Sequence, residues 1–139
     1  MKNIFSLMLL VAYVSAQAQT MVPVVVGKAF AKKFPDAKNI KWGKENAKEY
    51  EANFKLNNVN MSANYDLQGN LKETEKEILI KDLPDEIVKA IRKKYAKAVI
   101  YEADKIEKQD GKIIYETDIK INGRKKELEL YADGRFVRM

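Results

Sequence analysis

Carboxylates are the residues of this 139-residue chain best placed to do chemistry. Glu116 with Asp118, and Glu127 with Glu129, stand two positions apart, as do Glu51 and Asn53. Side chains two apart on a strand share a face, and two facing carboxyls are the minimum for acid–base work. The pattern has low specificity, because outward carboxylates also keep an antiparallel sheet soluble. Other chemistries are excluded more firmly. The chain has no histidine and no cysteine, so it lacks Ser-His and Cys-His dyads, imidazole- or thiolate-held metals and disulfides. Beyond the N-terminal segment Ser62 is the only serine, and no lysine stands where it would activate it. Asp66, Gly69 and Asn70, like Asp110-Gly111 and Asp133-Gly134, lack the spacing of a calcium loop and read as turns. The sequence therefore names no catalytic, cofactor-binding or metal-binding residue and points away from an enzyme.

The elements that position these residues begin after a leader. MKNIFSLMLLVAYVSAQAQT sets one lysine before an apolar run that ends in small residues, the pattern of a secretory signal peptide over residues 1–18, with cleavage near Ala16 or Ala18. The run from Ile4 to Ala16 is shorter than the ~20 apolar residues that span a bilayer, so no transmembrane anchor is expected and the location is periplasmic or secreted. The remaining residues, 19–139, suit one domain; halves of about 60 residues are marginal alone and are expected to share a core. A net charge of +6 is a modest excess. Lys32-Lys33, Arg92-Lys93-Lys94 and Arg124-Lys125-Lys126 are basic clusters suited to an anionic surface. No nucleic-acid motif is present.

The chain is written twice, over 22–80 and 83–139. Pro23 recurs as Pro84 and Phe34 as Tyr95, roughly 61 residues on; Tyr50 recurs as Tyr115 and Gly69 as Gly134, roughly 65 on. Each copy opens on a helix, with the stripe Val22, Val26, Ala29, Phe30, Phe34 in the first and Leu83, Ile87, Ala90, Ile91, Tyr95 in the second. The two prolines fall in the first helical turns. The apolar period then drops to two: Ile40 and Trp42; Tyr50, Ala52, Phe54 and Leu56; Ile113, Tyr115, Thr117, Ile119 and Ile121. Trp42 is expected beneath the first helix. Asn57-Asn58 and Asn122-Gly123 read as two-residue hairpin turns. Leu71 and Phe136 open a last strand in each copy, and the charged stretch from Lys72 to Ile80 reads as an exposed, edge-like strand that becomes a linker. The expected fold is α+β: two tandem helix-plus-antiparallel-sheet repeats, both helices on one face of a shared or adjoining sheet.

The ordered set of VP, FPDAKNIKW, YEANF, YDLQGNLKETE, LP and YETDIKINGRKKELELYADGRF resembles the periplasmic PepSY-like family, which is similar to beta-lactamase inhibitor protein. The resemblance covers the whole chain after the leader. It implies a duplicated α+β fold, a periplasmic location and docking to a protein rather than catalysis, and it transfers no contact residue. The expected partner face is the sheet surface opposite the helices: Glu51, Asn53, Lys55, Asn60, Ser62, Asn64, Glu116, Asp118, Lys120, Glu127, Glu129 and Tyr131. The partner would be an envelope protein or peptide. The alternatives are an anionic envelope glycan or lipid head group held by the Lys/Arg clusters and, weakest, a carboxylate-based enzyme. No cofactor is implied, and the oligomeric state is left open.

Overall fold

The computed structural model describes residues 20–137, so the leader and its cleavage positions lie outside the described residues. Helix α1 (Val24–Lys33) is followed by strands β1 (Lys38–Lys44), β2 (Glu49–Leu56), β3 (Val59–Asp66) and β4 (Leu71–Glu77). A 3-10 turn, Ile80–Asp82, leads to α2 (Asp85–Lys94) and then to β5 (Val99–Lys108), β6 (Ile113–Ile121) and β7 (Arg124–Leu130). All seven strands form one antiparallel sheet in chain order, β1 to β7.

Local chemistry accounts for the elements that the sequence announces. Pro23 and Pro84 sit one position earlier than expected, as N-cap residues with ψ of 139° and 135°. The Pro23 carbonyl accepts from the N–H groups of Val26 and Gly27 at 3.0 and 3.1 Å, starting the helix without needing a donor of its own. Lys32 and Lys33 close α1, and Arg92, Lys93 and Lys94 close α2, at the negative ends of the helix dipoles. Asn57 and Asn58 have φ of 51° and 64°, and Asn122 and Gly123 have 48° and 79°. These positive angles match the strand twist in two-residue hairpins, linking β2 to β3 and β6 to β7.

Two separate cores form, in place of the shared core expected from the size of the halves. Val26 and Phe30 of α1 bury with Phe34, Tyr50, Ala52, Phe54, Ala63 and Tyr65. Phe30 stands at the centre of an aromatic group, its ring 5.2 Å from Trp42, 5.0 Å from Phe54 and 5.4 Å from Phe34. Ile87 and Ile91 of α2 bury with Leu83, Ala103, Ile119, Leu128 and Leu130, an aliphatic group. Paired residues on neighbouring strands share a face. Ala52 pairs with Ala63, Ala63 with Thr74 and Thr74 with Glu107; Glu107 lies an even number of positions from Ala103, which leads through Thr117 to Leu128. The strand residues of both cores therefore occupy the same side of the sheet.

The structure corrects several sequence expectations. The stretch from Lys72 is not an edge: β4 lies mid-sheet between β3 and β5, and β5 is a strand that the apolar pattern did not reveal. On the core side β4 and β5 carry Thr74, Lys76, Lys105 and Glu107, which join neither core cluster, so no apolar alternation marks them. Phe136 makes an isolated bridge to Leu130 rather than opening a strand. A register shift between Lys38 and Lys41 leaves Ile40 exposed while Trp42 packs on the first core. Ile113, at the start of β6, is exposed, and the buried isoleucine is its neighbour Ile114. The true edges, β1 and β7, carry Lys38, Lys41 and Lys44 and Arg124, Lys125 and Lys126, charges that oppose pairing with another sheet.

One glycine holds each helix against the sheet end. At Gly69 (φ +84°) an added Cβ would stand 3.1 Å from the Val25 carbonyl oxygen; at Gly134 (φ +83°) it would stand 2.6 Å from the Glu86 carbonyl oxygen. Strain from the left-handed angle is common to both, and the backbone collision is specific to the second. In thermal or urea unfolding Gly134→Ala should cost more than about 2 kcal/mol, and more than Gly69→Ala. Phe30→Ala, which empties the aromatic centre, should cost about 3–5 kcal/mol.

Candidate functional site

The sheet face opposite the two cores collects the polar residues of every second strand position. The cross-strand rows run Glu51, Asn64, Glu73, Lys108; then Asn53, Ser62, Glu75, Ile106, Ile114; then Glu77, Asp104, Glu116, Glu129; then Glu102, Asp118, Glu127. Lys55 pairs with Asn60, whose amide donates to Glu77, and Lys120 pairs with Lys125. Tyr131 follows β7 on the side of Ile114 and lines a hollow with it and with Lys72, Lys108 and Lys112. All twelve residues named from the sequence thus lie on this face. Asn64 is an exception in exposure: it is 7% exposed and donates to Glu73 Oε1 at 3.3 Å, leaving its Oδ1 buried without a partner.

Sequence reasoning missed the centre of the face, because β4 and β5 supply it. Glu75, Asp104 and Glu116 bring carboxylate oxygens within 4.8 Å of one another, each group half-buried. Asp104 pairs directly with Glu116, and Glu75 lies diagonally across from Asp104. Ile106, the partner of Glu75, and Ile114, two positions before Glu116, are buried on this same face and belong to neither core. They replace water beside the carboxyls with hydrocarbon. The run Glu73, Glu75, Glu77 was the available signal, since its period of two gives β4 one acidic side.

Burial first, and like charge second, hold these carboxyls protonated above their ordinary range. Glu116 is pushed up to about 8, with Glu75, Glu127, Asp104 and Glu129 as the neighbouring charges. Glu75 is pushed up to about 7, with Asp104, Glu51, Glu73 and Glu127 around it. Asp104 is pushed up to about 6, with Glu102, Glu77 and Asp118 nearby. Lys108 is ion-paired to Glu73. The three carboxyls therefore titrate as a coupled group that still holds protons at neutral pH. Such a group could give and take protons or ligate a hard cation. It lines an open depression of about 230 Å³ with Glu51, Ser62, Glu77 and Glu102 among its walls.

The proposed turns behave as turns. Asp66 Oδ1 accepts from the N–H groups of Gln68 and Asn70, Asp110 Oδ1 from that of Lys112, and Asp133 Oδ1 from that of Arg135, at 2.9–3.0 Å. Their carboxylates serve the backbone of their own loops.

The class defined by these features is an α+β protein in which one seven-stranded antiparallel sheet carries two helix-backed cores on one side and a broad polar face on the other. The chain belongs to the PepSY-like family described as beta-lactamase-inhibitor-like, whose pattern it matches over residues 12–73 and again over 48–138. Solved structures share the fold. A Bacteroides eggerthii protein described as periplasmic is 15% identical, with a TM-score of 0.77 over 86% of this chain and 88% of that one. A DUF2874 family protein from Bacteroides ovatus is 20% identical, with a TM-score of 0.73 over 86% of each chain. A protein from Bacteroides fragilis described as BLIP-like is 21% identical, with a TM-score of 0.67 over 86% of each. No curated protein matches the chain. Among the described residues no helix is long and apolar enough to cross a membrane.

The folded pKa of each of the three carboxyls lies above the unfolded range of about 4. Their contribution to stability is therefore complete below about pH 4 and is lost as pH rises through about 6, 7 and 8. Melting should occur at lower temperature at about pH 8.5 than at about pH 5.5, and Glu116→Gln should raise the alkaline melting point and flatten the profile.

Proposed function

We propose that this chain is a non-catalytic, inhibitor-like module of the bacterial periplasm that docks a protein or peptide partner on the sheet face opposite its helices. The observation that carries the reading is the seven-stranded face itself, on which Glu51, Asn53, Lys55, Asn60, Ser62, Asn64, Glu116, Asp118, Lys120, Glu127, Glu129 and Tyr131 gather without joining either core. Residues 1–18 act as a removable leader, and residues 19–139 act as one domain. That domain consists of two copies of a single unit, 22–80 and 83–139, whose helices back the same side of the sheet and leave the other side free. Membership of a beta-lactamase-inhibitor-like family and the BLIP-like fold neighbour support docking over catalysis. The periplasmic description of another neighbour supports the location.

An anionic glycan or lipid head group fits this face poorly, because its centre is acidic. The basic clusters stand elsewhere, at the last turns of α1 and α2 and on edge strand β7. A carboxylate enzyme would need a site that excludes water, whereas Glu75, Asp104 and Glu116 lie in an open depression of the sheet.

Photo-crosslinking amino acids placed at Ser62 or Asp118 should give adducts with an envelope protein in cells. The same probe at Lys28 of α1 or Lys89 of α2 should not. Adducts from the helix positions alone would overturn the assignment of the face.

A further inference from the structure

The protein as a whole is basic, at +6, yet its sheet face is acidic at the centre. Glu51, Glu73, Glu75, Glu77, Glu102, Asp104, Glu116, Asp118, Glu127 and Glu129 spread over β2 and β4 to β7. With strands 4.7–4.9 Å apart, that reach is roughly 24 Å, far wider than the coordination sphere of one metal ion. The cations on the face, Lys55, Lys72, Lys108, Lys112, Lys120 and Lys125, stand toward the ends of the strands. Lys108 is already held by Glu73. Asn64 supplies a second and independent sign. It is 7% exposed, its amide N–H donates to Glu73, and its Oδ1 is an acceptor left without a donor on this same face. A buried acceptor without a donor is costly, and the residues paired with Asn64 on the neighbouring strands, Glu51 and Glu73, both carry carboxyl groups. What the centre of this surface lacks is positive charge.

We infer that the face recognises a polypeptide partner through a cluster of that partner's lysine or arginine side chains, set over Glu75, Asp104 and Glu116. The inference rests on the docking reading and deepens it by giving the partner's chemistry. Arginine and lysine present N–H donors and no acceptors, which matches the carboxylates that line the depression. A second copy placed face to face would bring acid against acid, and an anionic membrane surface would be repelled. Docking is also linked to protons. A cation seated among the three carboxyls favours their ionised forms, so binding expels the protons they share. Affinity then rises with pH across the range in which the group titrates, by up to tenfold per pH unit for each proton released. The charges that set this range lie on every neighbouring strand: Glu51 on β2; Glu73 and Glu77 on β4; Glu102 and Lys108 on β5; Asp118 on β6; and Glu127 and Glu129 on β7.

The test is calorimetric titration of the whole chain after its leader with a lysine dodecamer, at low salt. Binding should be about tenfold or more tighter at about pH 8.5 than at about pH 5.5, and near neutral pH its heat should vary with the ionisation enthalpy of the buffer that takes up the released protons. Glu75→Gln combined with Glu116→Gln should weaken binding and remove most of the pH dependence. Glu127→Gln combined with Glu129→Gln removes two neighbouring charges and leaves the three carboxyls in place; it should weaken binding and keep the dependence, moved to lower pH. Circular dichroism melts confirm that each variant is folded. Binding that ignores pH, equal behaviour of the two double variants, or binding of calcium ions but not of the lysine dodecamer would overturn the inference. So would self-association in light scattering that oligolysine does not relieve. If crosslinks from Ser62 or Asp118 persist while the pH dependence is absent, docking stands and the cationic chemistry falls. If those crosslinks are missing, both fall.

Discussion

The backbone ladder between β4 and β5 is the constraint on which the rest of this structure depends. The two cores share no residue, one built on aromatic rings around Phe30 and the other on aliphatic side chains around Ile87 and Ile91. What makes one sheet of seven strands is the pairing of Glu73 through Glu77 with Lys108 through Asp104. Without it each half would keep a helix and a few strands, at a size where burial barely offsets chain entropy. The same ladder brings Glu75 beside Asp104. Joining the halves and assembling the carboxyl group are thus one event.

That coupling explains why the sheet centre is polar on both sides. β4 and β5 run between the two helices, so Thr74, Lys76, Lys105 and Glu107 on their core side need no apolar side chain, and of these two strands Leu71, Ile100 and Ala103 pack on a core. Their opposite-facing positions are free to carry acid, and Ile106 and Ile114 give that acid a partly dry setting. The result is a protein whose charge is segregated: basic at helix ends and sheet edges, acidic in the middle of the free face. Such an arrangement steers encounters by sign as well as by shape.

The elements with strong local chemistry were legible in the sequence. Asn57-Asn58 and Asn122-Gly123 announce hairpins because few residues tolerate positive φ, and the helical stripes appear because Val26, Phe30, Ile87 and Ile91 must face a core. β4 was misread as an edge because nothing apolar alternates along it. β5 was hidden for a different reason. A register shift between Ile100 and Glu102 breaks its period, and its two buried residues, Ala103 and Ile106, lie on opposite faces. The twelve polar positions came from strands with clear alternation and were placed on one face. Of the three-carboxyl group only Glu116 was among them, since its companions belong to the two strands that long-range pairing, not local pattern, defines.

The absence of histidine has a consequence for how the molecule handles protons. Histidine is the usual side chain that titrates between pH 5 and 8, and here crowded, half-buried glutamates and an aspartate do so instead. The unfolded chain would ionise these groups fully at neutral pH, so unfolding there releases protons into the solvent. The folded molecule is accordingly more cationic than its formula charge, and its heat of unfolding at neutral pH includes the protonation enthalpy of whatever buffer surrounds it.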